Sequence, residues 1–102
     1  MIELAKLEEI PSGKTLRVER DEYRVCLVNI EDEIYIIDDR CSHADFSLSA
    51  GLVDCDEKEI ECPKHGALFD LETGNPRSLP ATQPVKKYKA IVQGDIVYME
   101  ED

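Results

Sequence analysis

The segment Tyr23-Arg24-Val25-Cys26-Leu27-Val28-Asn29-Ile30, then Glu31-Asp32, then Glu33-Ile34-Tyr35-Ile36-Ile37-Asp38, decides the fold class. Its first part is rich in Val, Leu and Ile with apolar side chains on both faces, which suits a strand buried on both sides. Two acidic residues then make a turn and a second apolar run returns, so the segment reads as a hairpin. A weaker strand at 14–20 follows the Pro11-Ser12-Gly13 turn. A second hairpin is expected near the C-terminus, where 85–92 and 95–99 flank Gln93-Gly94. In it Tyr88, Ala90 and Val92 share one face and Lys87 and Lys89 point to solvent, while Tyr35 and Tyr98 are expected in the core. No 3.6-residue apolar stripe is sustained over a long window. Between the hairpins, residues 39–82 form an irregular stretch with scattered Gly, Pro, Ser and Asn, and long irregular stretches in small domains are usually functional. The expectation is an all-β chain: an antiparallel β-sandwich or barrel base carrying a loop-rich insert, with 1–102 as a single domain.

The chain has 102 residues, enough for one small domain. Such a chain buries only roughly 60–70% of the surface its unfolded form exposes, so a metal staple would help it. Twelve Lys and Arg stand against twenty-three Asp and Glu, a formal net charge of −11. That balance argues against a nucleic-acid binder, which needs a basic face, and against docking on an anionic membrane. Residues 31–61 hold eleven acids and only two bases, Arg40 and Lys58, so most of the excess lies in the middle third. The first residues lack a basic stretch followed by an apolar one, and no apolar run nears the ~18 residues of a membrane span. A cytoplasmic protein is therefore expected. In a reducing compartment Cys26, Cys41, Cys55 and Cys62 are poor candidates for disulfides, and metal ligation becomes the leading use for some of them.

The insert contains Cys41-Ser42-His43, then eighteen residues, then Cys62-Pro63-Lys64-His65, which together use both histidines of the chain. Each pair can present two ligands from one tight loop. Two thiolates and two imidazoles fit a tetrahedral zinc site. They fit equally a [2Fe–2S] cluster with Cys on one iron and His on the other.

The motif C-x-H-x18-C-x2-H, the His65-Gly66 continuation and the Pro-bearing stretch 75–84 resemble the Rieske iron–sulfur family, and the likeness extends to the β pattern of the whole chain. The resemblance implies a Rieske-type β base, one [2Fe–2S] cluster, and Cys41 and Cys62 on one iron with His43 and His65 on the other. The charge arithmetic agrees. Two Fe³⁺, two sulfides and two thiolates sum to zero, and one added electron leaves −1. Neutral imidazoles tolerate that electron better than four thiolates would, which raises the potential above that of all-Cys ferredoxins.

The flanks narrow the type. High-potential members of the family bridge the ligand loops with an extra cysteine pair, where this chain has Phe46 and Lys64. They also donate Ser and Tyr hydroxyls to the cluster sulfurs, where this chain has Ala67 and Phe69. Fewer donors destabilise the reduced state, and Asp38, Asp39 and Asp45 push the same way. A low-potential, small Rieske protein resembles the ferredoxins that carry single electrons from a flavin-dependent ferredoxin reductase to a terminal Rieske non-haem iron oxygenase. No catalytic role of its own is expected, because oxygenase iron needs two further His and a carboxylate. The small Rieske-like subunit of an assimilatory nitrite reductase is the alternative, and a structural zinc module is a more distant one.

Other residues have plain readings. Cys26 is expected as a small buried hydrophobe and Cys55 as an exposed thiol in the acidic 54–58 turn. Phe46, Leu48, Phe69 and Pro80 could shield the cluster or simply pack their loops. Glu31, Asp32, Asp54, Asp56 and Glu57 are expected beyond the ~8 Å screening length from the redox tip, serving solubility or long-range steering. Asp38, Asp39, Asp45 and Glu61 would lie near it, among Arg40 and Lys64.

Overall fold

The computed structural model describes residues 1–40, 47–63, 66–77 and 83–100. Its strands are β1 (Ile2–Lys6), β2 (Thr15–Arg20), β3 (Tyr23–Ile30), β4 (Glu33–Asp38), β5 (Leu52–Asp54), β6 (Glu59–Glu61), β7 (Leu68–Asp70), β8 (Lys87–Tyr88), β9 (Ala90–Gln93) and β10 (Ile96–Met99). They form three antiparallel sheets ordered β1-β10-β9, β2-β3-β4-β8 and β5-β6-β7. The helical pieces are 3-10 turns at Leu7–Glu9 and Leu48–Ala50. No described helix is long and apolar enough to cross a membrane.

The β3–β4 hairpin lies where the sequence places it. Ile30 pairs with Glu33, which leaves Glu31 and Asp32 as a two-residue turn, with φ of 51° and 70°. Both residues are left-handed, as the tight turn that matches strand twist requires.

The double-sided apolar pattern of this hairpin has a structural cause. Cys26, Val28, Ile30, Tyr35 and Ile37 pack with Leu48, Ile60, Cys62, Ala67, Phe69, Leu71 and Val85. The alternate residues Val25, Leu27, Ile34 and Ile36 pack with Leu4, Ile10, Val18, Tyr88, Val97 and Met99. The central sheet is thus the middle of three layers, covered by the terminal sheet on one side and by the insert on the other. Strand alternation sends neighbouring residues to opposite layers, so neither face can be polar.

Several expectations are corrected. The run 85–92 is two strands: Tyr88 pairs with Ile36 in the central sheet, whereas Ala90 pairs with Met99 in the terminal one. The chain changes sheet at Lys89, so the common face of Tyr88, Ala90 and Val92 is broken, and Val92 is 41% exposed. The turn before β10 is Gly94-Asp95, since Gln93 pairs with Ile96. Gly94 takes its positive φ of 64°. Val97 and Met99 fill the core, which leaves Tyr98 half-buried; Tyr35 is buried as expected. Cys55 is half-buried against the insert-side cluster, and Cys26 is fully buried. Strand β1 was not legible, and neither was β7, which follows the Cys62–His65 motif with one short loop between.

Candidate metal centre

The insert sheet brings the bases of the two ligand loops together. Strand β4 ends at Asp38, whose N–H donates to the Lys86 carbonyl at 2.9 Å. The Asp39 N–H donates to the Arg24 carbonyl at 3.1 Å, and the Leu48 N–H donates to the Asp39 carbonyl. Arg40 bridges Ser47 in antiparallel fashion, so the first loop leaves and returns at one point. The second loop is shorter. The Cys62 N–H donates to the Ala67 carbonyl at 2.7 Å, and the Gly66 N–H donates to the Cys62 carbonyl at 3.0 Å. Gly66 has a φ of 71°, a conformation that suits glycine at so tight a return. A third segment closes beside them, with Pro76 bridging Phe69 and the Arg77 N–H on the Leu68 carbonyl at 2.7 Å.

The two loop bases touch at Gly51. A Cβ there would stand 1.8 Å from the Glu61 carbonyl oxygen and 3.2 Å from that of Leu48. Leu48 ends the first loop and Glu61 precedes Cys62, so Gly51 permits the close approach of the two halves of the site. Its backbone conformation is ordinary, and the demand is one of space alone. Gly51→Ala should push β5 from β6, lower stability by about 1–3 kcal/mol as overpacking does, and reduce iron content. Denaturant unfolding and an iron assay on the same preparation check it.

Of the four candidate ligands, Cys62 is described and is fully buried. Cys41, His43 and His65 lie outside the described residues, as do Asp45, Phe46, Lys64 and Pro80. Among the described residues no group of three or more His, Cys, Asp or Glu could hold a metal ion. What is described fits an iron–sulfur cluster. A buried thiol sits at the mouth of one loop, the base of the other loop is seated beside it, and apolar side chains pack behind. Leu48 and Phe69 are both fully buried within that packing, so they act as core and not as an exposed rim.

The buried charge nearest the site is Asp39, which is wholly inaccessible to solvent. Its Oδ1 accepts the Ser49 N–H at 2.9 Å, its Oδ2 accepts the Ser47 hydroxyl, and Arg17 Nε lies 3.4 Å from Oδ2. Burial first, and then the Asp39 charge, push the Cys26 thiol well above its ordinary value, so Cys26 stays a neutral packing group. Asp38 instead accepts the Tyr88 hydroxyl at 2.8 Å. On the outer face of the insert sheet, burial would raise the Asp70 carboxyl. The Arg77 guanidinium at 2.8 Å and the N–H groups of Glu72 and Thr73 outweigh it and hold the carboxyl below its ordinary value. Arg77 also reaches Glu59 at 3.1 Å, which ties the third segment to β6. Ser47, Ser49, Gly51 and Arg17 are the supporting residues that sequence reasoning missed. The Asp before the Cys-x-His motif was the one available signal.

Residues 1–89 match the model of the Rieske [2Fe–2S] domain. The chain belongs to the Rieske family. A Rieske domain carries one [2Fe–2S] cluster, and this one has the loop bases to receive it. Over 92 residues it is 38% identical to the 3-phenylpropionate/cinnamic acid dioxygenase ferredoxin subunit of Escherichia coli (strain K12), covering 90% of this chain and 85% of that one. Among solved structures it is similar to the ferredoxin of carbazole 1,9a-dioxygenase from Nocardioides aromaticivorans IC177, with a TM-score of 0.95 and 33% identity over 99% of this chain and 97% of that one. It is also similar, at a TM-score of 0.88 and 32% identity over 96% and 90%, to a chain in the complex of reduced oxygenase and oxidized ferredoxin in carbazole 1,9a-dioxygenase.

Proposed function

We propose that this Rieske domain is the ferredoxin of a multicomponent oxygenase system, taking single electrons from a flavin-dependent ferredoxin reductase and passing them to a terminal Rieske non-haem iron oxygenase. Cys41 and Cys62 hold one iron, and His43 and His65 hold the other. When bound, the cluster takes up and gives back one electron. The work of the chain is to hold it: the Cys62 thiol is kept from water, and the turn through Gly66 returns the second loop to β7. Leu48, Ile60, Ala67 and Phe69 exclude water behind the site. No substrate chemistry is assigned to the chain. The observation that carries this reading is the join between the two ligand-loop bases at Gly51 and Glu61, in a chain alike over nearly its whole length to ferredoxin subunits of dioxygenases.

Ala67 and Phe69 offer no hydroxyl to the cluster, and both are sealed in the core. A midpoint near the low end of the Rieske range follows, about −150 mV and not +300 mV. A redox titration followed by EPR reads it, and a midpoint above about +100 mV would refute it. The functional test is a reconstituted relay, with the purified chain placed between a ferredoxin reductase and a Rieske oxygenase. Product formation that depends on the chain is expected. Transfer only to a nitrite reductase, or colourless protein holding zinc, overturns the reading.

A further inference from the structure

We propose that Asp39 is the positioning residue of the first ligand loop and the buried anion that holds the cluster's midpoint low. The inference rests on the ligand assignment above. Asp39 is tied down through both its backbone and its side chain. Its N–H binds the Arg24 carbonyl of β3, its carbonyl takes the Leu48 N–H, and its carboxylate takes Ser47 and Ser49. These contacts join the residue that enters the loop to the residues that leave it. Ser49 is held from the other side, its hydroxyl 2.7 Å from that of Ser47 and its carbonyl accepting the Thr15 hydroxyl at 2.6 Å. The loop carrying Cys41 and His43 is thereby clamped at its base to the central sheet.

The charge follows from the same geometry. Two peptide units separate Asp39 from Cys41, so their Cα atoms are at most about 7.6 Å apart. Asp39 is fully buried, so salt screens it far less than a surface acid. An electron entering the cluster meets this fixed negative charge. Arg17, whose Nε lies 3.4 Å from the Asp39 carboxylate, is half-exposed and shared with Glu19. Compensation by Arg17 is therefore partial, and the Asp39 carboxylate opposes reduction. Asp38 and the turn acids are more exposed to solvent and weigh less.

Four variants of the full chain test this by cluster content, EPR signature and midpoint. Asp39→Asn keeps the shape and an acceptor for the Ser49 N–H but removes the charge; it should load the cluster and shift the midpoint positive. Asp39→Ala removes the clasp and should lower cluster content several-fold. Arg17→Gln leaves the anion uncompensated and should shift the midpoint negative, which supplies the charge reading if Asp39→Asn does not load. Asp32→Asn, in the distant left-handed turn, should match the parent. A purely structural Asp39 would leave the midpoint of a loaded Asp39→Asn protein unmoved, and that result would overturn the charge reading. The inference is overturned if Asp39→Ala keeps full cluster content with the parent EPR signal, or if Arg17→Gln fails to move the midpoint negative. Parent protein without a Rieske EPR signal would instead defeat the ligand assignment itself.

Discussion

Chains carrying His65→Ala or His43→Ala are expected to emerge from purification nearly colourless, with iron falling from about two per chain to close to none. In the proposed ligand set each imidazole is half of the protein's hold on one iron, and methyl side chains offer no donor in its place. The two pairs also sit on separate loops whose bases are joined at Gly51 and Glu61. A cluster spanning them would staple the loops together, so its loss should lower the melting temperature as well. Cys62 gives the same expectation, with an added consequence. Its thiol lies in a fully buried setting, so Cys62→Ser would replace a soft ligand by a hydroxyl in need of a partner. Iron and acid-labile sulfide assays, optical spectra and EPR after reduction provide the measurement. Normal clusters in both histidine variants would remove the assignment.

The second large effect lies behind the site. Phe69→Ala should cost about 3–5 kcal/mol, the range for truncating a buried aromatic. Phe69 is fully buried, pairs across β6 with Ile60, and packs against the insert-facing side chains of β3 and β4. Alanine would leave a cavity that the sheet, bridged at this residue to Pro76, can close only in part. A domain of this size has about 5–15 kcal/mol in all, so the variant should stand near the limit of folding. At roughly 4–8 °C per kcal/mol its midpoint of thermal unfolding should drop by more than about 12 °C. Ile36→Val, in the opposite core layer, should cost only about 0.5–1.5 kcal/mol. Denaturant melts decide between these expectations. A Phe69→Ala loss as small as that of Ile36→Val would show that the insert is not a structural layer.

Much of the fold was legible where local pattern and tertiary demand agree. The hairpin from Tyr23 to Asp38 has the expected bounds, because apolar residues on both faces admit few alternatives to a doubly covered strand pair. Residues 85–92 were legible as extended chain, but the change of sheet at Lys89 was not. Nothing local distinguishes one long strand from two short ones when pairing partners decide where each ends. Strand β7 was hidden because three residues are too few for a period to be read.

The mid-chain acidity shows the same division. As a count it places eleven acids and two bases in residues 31–61. In the fold, Asp39 is sealed in the interior, Asp70 and Glu59 are bound by Arg77, and Asp54 caps the N–H groups of Asp56 and Glu57 in its own turn. The sequence by itself determined the β class and the family and singled out four candidate donors, because ligand chemistry and strand periodicity are written in residue type and spacing. Tertiary structure alone decided that the insert is the third layer, that Gly51 lets the loop bases meet, and that Asp39 is the buried charge beside them. Those facts depend on contacts between segments remote along the chain. Spacing constrains such contacts weakly, and burial turns an ordinary acid into a structural one.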